Sequence, residues 1–119
     1  MFTYAKQFAA ADTIVISAPF WDLSFPAALK VFIENIYAIG LVTDYDETGA
    51  PVGKCRAHDL YYVSTAGGKF VPNFGFRYIK ELAETYFGIA RVHLVAAELL
   101  DVVGADVDAI LGAAMDAID

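Results

Sequence analysis

The sequence predicts an α/β fold built on a parallel sheet, and two observations carry that prediction. Three short apolar runs, at 13–18, 58–64 and 91–97, alternate with longer stretches of helical period. The first of them, Thr13 to Ala18, is apolar and β-branched along its length, the pattern of a strand covered on both faces. Such runs separated by helices imply βαβ units with right-handed crossovers.

The elements follow in order. Met1 to Ala11 reads as the tail of a helix leading directly into the first strand. Pro26 suits the first turn of the next helix, with Ser24 as a candidate N-cap. Leu29, Phe32, Ile33, Ile36 and Tyr37 then share one face, and Gly40 ends that helix. Leu41 to Lys54 is a long connection with a turn at Glu47-Thr48-Gly49 and a proline at Pro51. His58 to Ser64 is the second strand, and Thr65-Ala66-Gly67-Gly68 a tight loop beyond it. Phe74 to Phe87 reads as a helix closed by Gly88. Arg91 to Ala97 is the third strand, and Asp106 caps a last helix that runs to Ala117. Three parallel strands make a small sheet for this class. The first would leave an open edge, a liability unless something pairs with it.

Composition narrows the function classes. The 119 residues suit one domain. They are 58% hydrophobic and 19% charged, more apolar than a self-contained domain of this size needs. A large subunit interface or a fold that is only partly present would explain the excess. Eight Lys and Arg against fifteen Asp and Glu give a net charge of −7, which argues against a nucleic-acid partner. One cysteine and two histidines offer no disulfide and no metal-ligand pattern, and Cys55 reads as an incidental loop thiol. Met1 to Ala11 has no uninterrupted apolar core, so no secretory signal is expected. No apolar run approaches the roughly 20 residues of a membrane span. The expectation is a soluble cytoplasmic protein with no membrane partner.

The candidate site lies at the strand ends. Ligands of open α/β sheets bind beyond the carboxyl ends of the strands. There the first strand runs into Pro19-Phe20-Trp21-Asp22-Leu23, two large aromatics and a carboxylate. The second runs into Ser64-Thr65-Ala66-Gly67-Gly68, where glycines would let a backbone approach a ligand closely. Each feature also has a plainer reading. Phe20 and Trp21 would serve as core residues at a strand–helix junction, Asp22 as a surface or capping group, and Gly67-Gly68 as an ordinary turn.

At ADTIVISAPFWDLSFPAALKVFIENI the chain resembles the flavodoxin-like FMN-dependent NADH azoreductases and related quinone reductases. The Ala-Pro that ends the strand, the aromatic loop and the later Leu29-Lys30 pair carry this resemblance. GLVTDYDETG from Gly40 to Gly49, Ser64-Thr65-Ala66-Gly67-Gly68 and Tyr86-Phe87-Gly88-Ile89 extend it, in the family's order. The match covers essentially the whole chain but only the later part of a typical member. The family's first strand and its serine-rich loop, which holds the FMN phosphate at a helix N-terminus, have no counterpart in these residues.

The resemblance implies a flavodoxin-like parallel sheet reduced to its C-terminal portion, about three strands with three to four helices. It implies two-electron reduction of quinones or azo compounds, with NADH or NADPH passing a hydride through FMN to a flat aromatic acceptor. The flavin carries the chemistry, so no side chain is expected to act as acid, base or nucleophile. Pro19, Phe20, Trp21, Asp22 and Leu23, with Ser64, Thr65, Ala66, Gly67 and Gly68, would flank the flavin ring. Asp22 stands where the family usually has Asn. A carboxylate only accepts hydrogen bonds and would repel the charge of a reduced flavin, weakening binding or lowering its potential. Tyr45 would line the substrate slot, reaching across a homodimer, or else stand exposed on a mobile loop. Lys69 and Arg77 read as solvated cations at a helix start rather than as contacts of a nicotinamide phosphate. His58 and His93 read as structural histidines, and Glu98 and Asp101 as surface or turn groups. The rival reading is a non-catalytic remnant that associates through its open sheet edge. In a third, a separate or swapped chain supplies the missing strands.

Overall fold

Parallel strands organise the molecule. The computed structural model describes residues 2–102 and 104–118. Along the chain lie α1 (Thr3–Ala10), β1 (Thr13–Ser17), α2 (Ala27–Ile36), β2 (Thr43–Tyr45), β3 (Pro51–Gly53), β4 (Asp59–Thr65), α3 (Phe76–Glu81), β5 (Arg91–Ala97) and α4 (Val107–Asp116). The sheet order is β1-β4-β5, all parallel, with Ile14 opposite Leu60 and Tyr61 opposite His93. β4 therefore occupies the centre, and the crossovers carry α2 and α3.

One face of this sheet carries the core. Ile14 and Ile16 of β1 and Leu60 and Tyr62 of β4 meet Ala5 and Phe8 of α1, Ile33 and Ile36 of α2, and Ile79 of α3. Phe87 adds an aromatic knot, its ring centroid 5.4 Å from Phe8 and 6.0 Å from Tyr37. The opposite face behaves differently. Val95 and Ala97 of β5, the strand beside α4, are buried there, but Val15 of β1 is 63% exposed. The expectation that β1 is covered on both faces is therefore corrected. Both α1 and α2 lie on the core side, and among the described residues β1 pairs with β4 alone, as anticipated.

Three other expectations are corrected. Ser24 does not cap α2; Pro26 occupies the N-cap position, and the Ser24 hydroxyl donates to the Phe74 carbonyl at 2.9 Å. α2 ends at Ile36 rather than at Gly40, which turns the chain afterwards at φ +92°. The connection from Leu41 to Lys54 contains an antiparallel hairpin, β2 with β3. The Asp46 carboxylate builds its turn by accepting from the amides of Thr48 (2.8 Å) and Ala50 (3.0 Å) and from the Thr48 hydroxyl (2.6 Å). The Thr48 hydroxyl, then these amides, hold the Asp46 carboxyl below the usual carboxylate range.

The helix expected over 74–87 begins at Phe76 and widens into a π-helical segment, Leu82–Phe87. Gly88 closes it in the left-handed conformation, φ +74°, as the sequence suggests. The hairpin docks on this end: the Cys55 amide donates to the Phe87 carbonyl at 3.1 Å, and Gly53 lies against Gly88. Burial pushes the Cys55 thiol up to about 11, so it is inert at neutral pH, in keeping with an incidental thiol. The Asp106 carboxylate accepts from the Ala109 amide at 3.1 Å and caps α4 as expected. No helix among the described residues is long and apolar enough to cross a membrane.

An ionic cluster sits at the amino ends of β4 and β5. Arg91 grips Asp59 with two hydrogen bonds of 2.7 and 2.8 Å, and His93 Nε2 lies 2.8 Å from the same carboxylate while its ring stacks on Tyr61. Arg91 first, then His93, holds the Asp59 carboxyl well below its ordinary value. A carboxyl with a depressed native pKa stabilises the fold above its unfolded pKa, about 3.9, and loses that contribution as pH falls toward the native value. The unfolding midpoint of the wild type should therefore fall between pH 5 and pH 2 more steeply than that of Asp59→Asn, in parallel thermal melts. Identical slopes would show that this cluster contributes nothing.

Candidate functional site

Because the sheet is parallel, the loops after β1, β4 and β5 emerge at one end. The β1 ladder continues past the strand: the Ala18 amide donates to the Val63 carbonyl (2.9 Å) and the Phe20 amide to the Thr65 carbonyl (3.0 Å). Alternate residues of a parallel strand face each neighbour. Pro19 falls between these two rungs, where its missing N–H costs nothing. Next comes a tight turn in which the amides of Trp21 and Ser24 each donate to the other's carbonyl, at 3.2 and 2.9 Å. Asp22 (φ +51°) and Leu23 (φ +69°) sit at its centre, both left-handed, as a type I′ turn requires. The turn lifts Trp21 to 59% exposure, while Phe20 is half-buried against Phe70, ring centroids 5.0 Å apart.

The loop after β4 is fastened from the other side. Leu99 and Asp101 donate their amides to the carbonyls of Gly68 and Gly67, both at 2.8 Å, and Leu100 donates to Ala66 at 3.2 Å. The Glu98 carboxylate accepts from the Phe70 amide at 2.7 Å. A Cβ at Gly67 would lie 2.1 Å from an Asp101 carboxylate oxygen, so the Asp101 side chain would have to move aside for it. Gly68 opens onto free space, and the amides of Gly67 and Gly68 have no acceptor among the described residues. Leu99 is also left-handed, at φ +64°. Among the described residues, the three non-glycine residues with positive φ are Asp22, Leu23 and Leu99, all at this end of the sheet. Backbone strain of this kind costs about 1–3 kcal/mol per residue and collects where a site is held ready.

The structure therefore brings Pro19 to Leu23 together with Thr65 to Gly68. Ser64 and Ala66 point into the protein: both side chains are buried, and the Ser64 hydroxyl has no partner among the described residues. Tyr45 stands apart, on β2. It lines a cavity of about 450 Å³ with Tyr37, Tyr78, Tyr86, Lys30 and Glu34, and its hydroxyl lies 3.2 Å from that of Tyr37. The exposed Arg77 lines a different cavity, of about 560 Å³, with Lys80, Glu81 and Glu84. Glu98, Leu99 and Asp101 contribute more than turn groups would, because they clamp the Gly67-Gly68 loop. The acidic pair bracketing two leucines directly after a strand was the available signal.

Comparison with known proteins agrees with this fold. A family profile described as the flavodoxin-like fold matches residues 3–119. The chain belongs to that family. Among flavodoxin-like relatives, an FMN-dependent NADH:quinone oxidoreductase of Clostridium acetobutylicum is 42% identical over 114 residues, covering 91% of this chain and 56% of that protein. The FMN-dependent NADH:quinone oxidoreductase of Clostridium beijerinckii is 38% identical over 116 residues, covering 95% of this chain and 58% of that one. Among solved flavodoxin-like structures, an FMN-dependent NADH-azoreductase of Bacillus anthracis in complex with FMN superposes with a TM-score of 0.79 at 25% identity. That alignment covers 95% of this chain and 55% of the azoreductase. The chain thus spans a little over half the length of these relatives.

Proposed function

We propose that this chain forms the ring-side wall of an FMN site in an NADH-dependent reductase of quinones or azo compounds. The observation that carries the reading is the tie between the two loops. The Phe20–Thr65 hydrogen bond holds the loop that carries Phe20 and Trp21 to the strand end that leads into the free amides of Gly67 and Gly68. A flat ring lies well against aromatic faces, and free amides suit the carbonyl edge of a flavin. These residues suit the flat ring of the cofactor. Relatives named for FMN, NADH and quinone support the same assignment.

FMN, when bound, supplies the two-electron relay between nicotinamide and acceptor. The chain's own residues bind and orient. Phe20 and Trp21 would give the ring an apolar face and shield it from water. The Gly67 and Gly68 amides would offer positive dipoles to the charge that a reduced ring carries, and Glu98 and Asp101 keep that loop in place. Asp22 opposes them with an acceptor-only group beside Trp21. The reading extends to a cytoplasmic homodimer, supported by the apolar excess and the exposed face around Val15. The strained, intact loops favour it over a non-catalytic remnant, in which nothing would maintain three left-handed side-chain-bearing residues.

The test is anaerobic. NADH added to the chain saturated with FMN should bleach the flavin absorbance, and a quinone should restore it, both faster than with free FMN. Rates equal to those of free FMN at full occupancy would refute the reading.

A further inference from the structure

Leu99 is left-handed for a backbone reason that does not explain its side chain. Three successive amides, those of Leu99, Leu100 and Asp101, donate to the carbonyls of Gly68, Ala66 and Gly67. In an extended chain successive amides point to opposite sides. A left-handed residue turns neighbouring amides toward one side, and Leu99 supplies it at φ +64°. The clamp on the loop after β4 therefore needs that conformation, but it does not need a leucine. Glycine enters the left-handed region freely and asparagine is enriched there, whereas a branched apolar residue is strained. Core packing does not demand the leucine either, since Leu99 is 43% exposed. Its two sequence neighbours, Leu100 and Glu98, are each more buried than Leu99. The place of the residue is telling. It is bonded to Gly68, the loop residue that opens onto free space and whose amide has no acceptor among the described residues. Strain held by an exposed side chain at the ligand end of a sheet points to a contact made when the site is filled.

We propose that Leu99 is a ligand-contacting residue of this site, an apolar contact for the ring held at the Gly67-Gly68 loop, kept in place of a residue that would suit the backbone better. The inference rests on the FMN reading for the identity of that ring. The carboxylates of Glu98 and Asp101 are both engaged with the loop after β4, Glu98 on the Phe70 amide and Asp101 against Gly67. Leu99 is the apolar side chain between them. Burying its exposed methyl groups against a ring removes them from water, which favours the bound state.

Three variants separate the side chain from the backbone. Leu99→Asn is close to leucine in size, accepts the left-handed conformation and is polar. Leu99→Gly removes both the strain and the side chain. Leu99→Met keeps an apolar contact. Without ligand, the thermal midpoints of Leu99→Asn and Leu99→Gly should lie close to or above that of the wild type, because the clamp is made by backbone amides. Riboflavin, which carries the ring without the phosphate, is then titrated with each protein and followed by quenching of its own fluorescence. Leu99→Asn and Leu99→Gly should bind it about three- to tenfold more weakly, the worth of burying roughly half a leucine side chain. Leu99→Met should bind it as the wild type does. Opposite movement of stability and affinity is the signature of a contact residue. Wild-type affinity in Leu99→Asn and Leu99→Gly would overturn the assignment and leave the FMN reading standing. Midpoints that fall together with affinity in both would also overturn it, by showing a structural role. A wild-type chain that binds no riboflavin would refute the ring-side reading itself, and the role of Leu99 with it.

Discussion

Gly53→Ala is expected to destabilise the protein by roughly 3 kcal/mol, the upper range for forcing atoms into a filled space. The added Cβ would lie 2.2 Å from the backbone nitrogen and Cα of Gly88, and backbone cannot swing aside as a flexible side chain can. Gly88 itself holds φ +74° to end the π-helical segment, so both partners of the contact are fixed. The hairpin must lift away, carrying Tyr45 from Tyr37. Gly68→Ala is the control, because a Cβ there meets nothing within 4 Å. Urea unfolding should show a large loss for the first variant and almost none for the second. Equal midpoints would mean that the hairpin is not docked on Gly88.

Phe87→Ala should cost about 3–5 kcal/mol, the usual penalty for emptying a buried aromatic site. Phe87 is 3% exposed and joins three elements: its ring meets Phe8 of α1 and Tyr37 at the end of α2, and its carbonyl accepts from Cys55 beside the hairpin. A thermal midpoint lowered by roughly 10 °C or more is the expected reading. A drop of only a few degrees would show that α1 is not packed into the core.

Both predictions concern a part of the fold that the sequence shows poorly, and the reason is physical. β5 was legible because the apolar run around Val92, Leu94 and Val95 follows the Gly88 stop and ends at Glu98. The Asp106 cap and the Gly88 stop were legible because a cap and a left-handed closure each need a particular residue type. β2 and β3 have three residues each, too few for any period, and depend on the Asp46 turn and on docking against Phe87 and Gly88. Ser24 has the right residue type for a cap, but the reversed turn at Asp22-Leu23 directs its hydroxyl to Phe74. At the candidate site, proximity to the strand ends was enough to bring Phe20, Trp21, Gly67 and Gly68 together. Glu98 and Asp101 reach that loop through pairing across 28 and more residues, which no local pattern encodes. Tyr37 meets Tyr45 only because Gly40 reverses the chain between them.

The sequence contains a single tryptophan, Trp21, so intrinsic tryptophan emission reports directly on the proposed flavin shelf. Titrating the chain with FMN, and separately with riboflavin, while following that emission is the most direct test of a ring-side site. Saturable quenching by both ligands is expected, with affinities within a few-fold of each other, since the proposed contacts are to the ring and not to the phosphate. Trp21→Phe should abolish the signal and still bind, as judged by quenching of the flavin's own fluorescence. No saturable quenching by either ligand, or binding of FMN alone, would contradict the proposal that Phe20, Trp21, Gly67 and Gly68 form the flavin-ring wall.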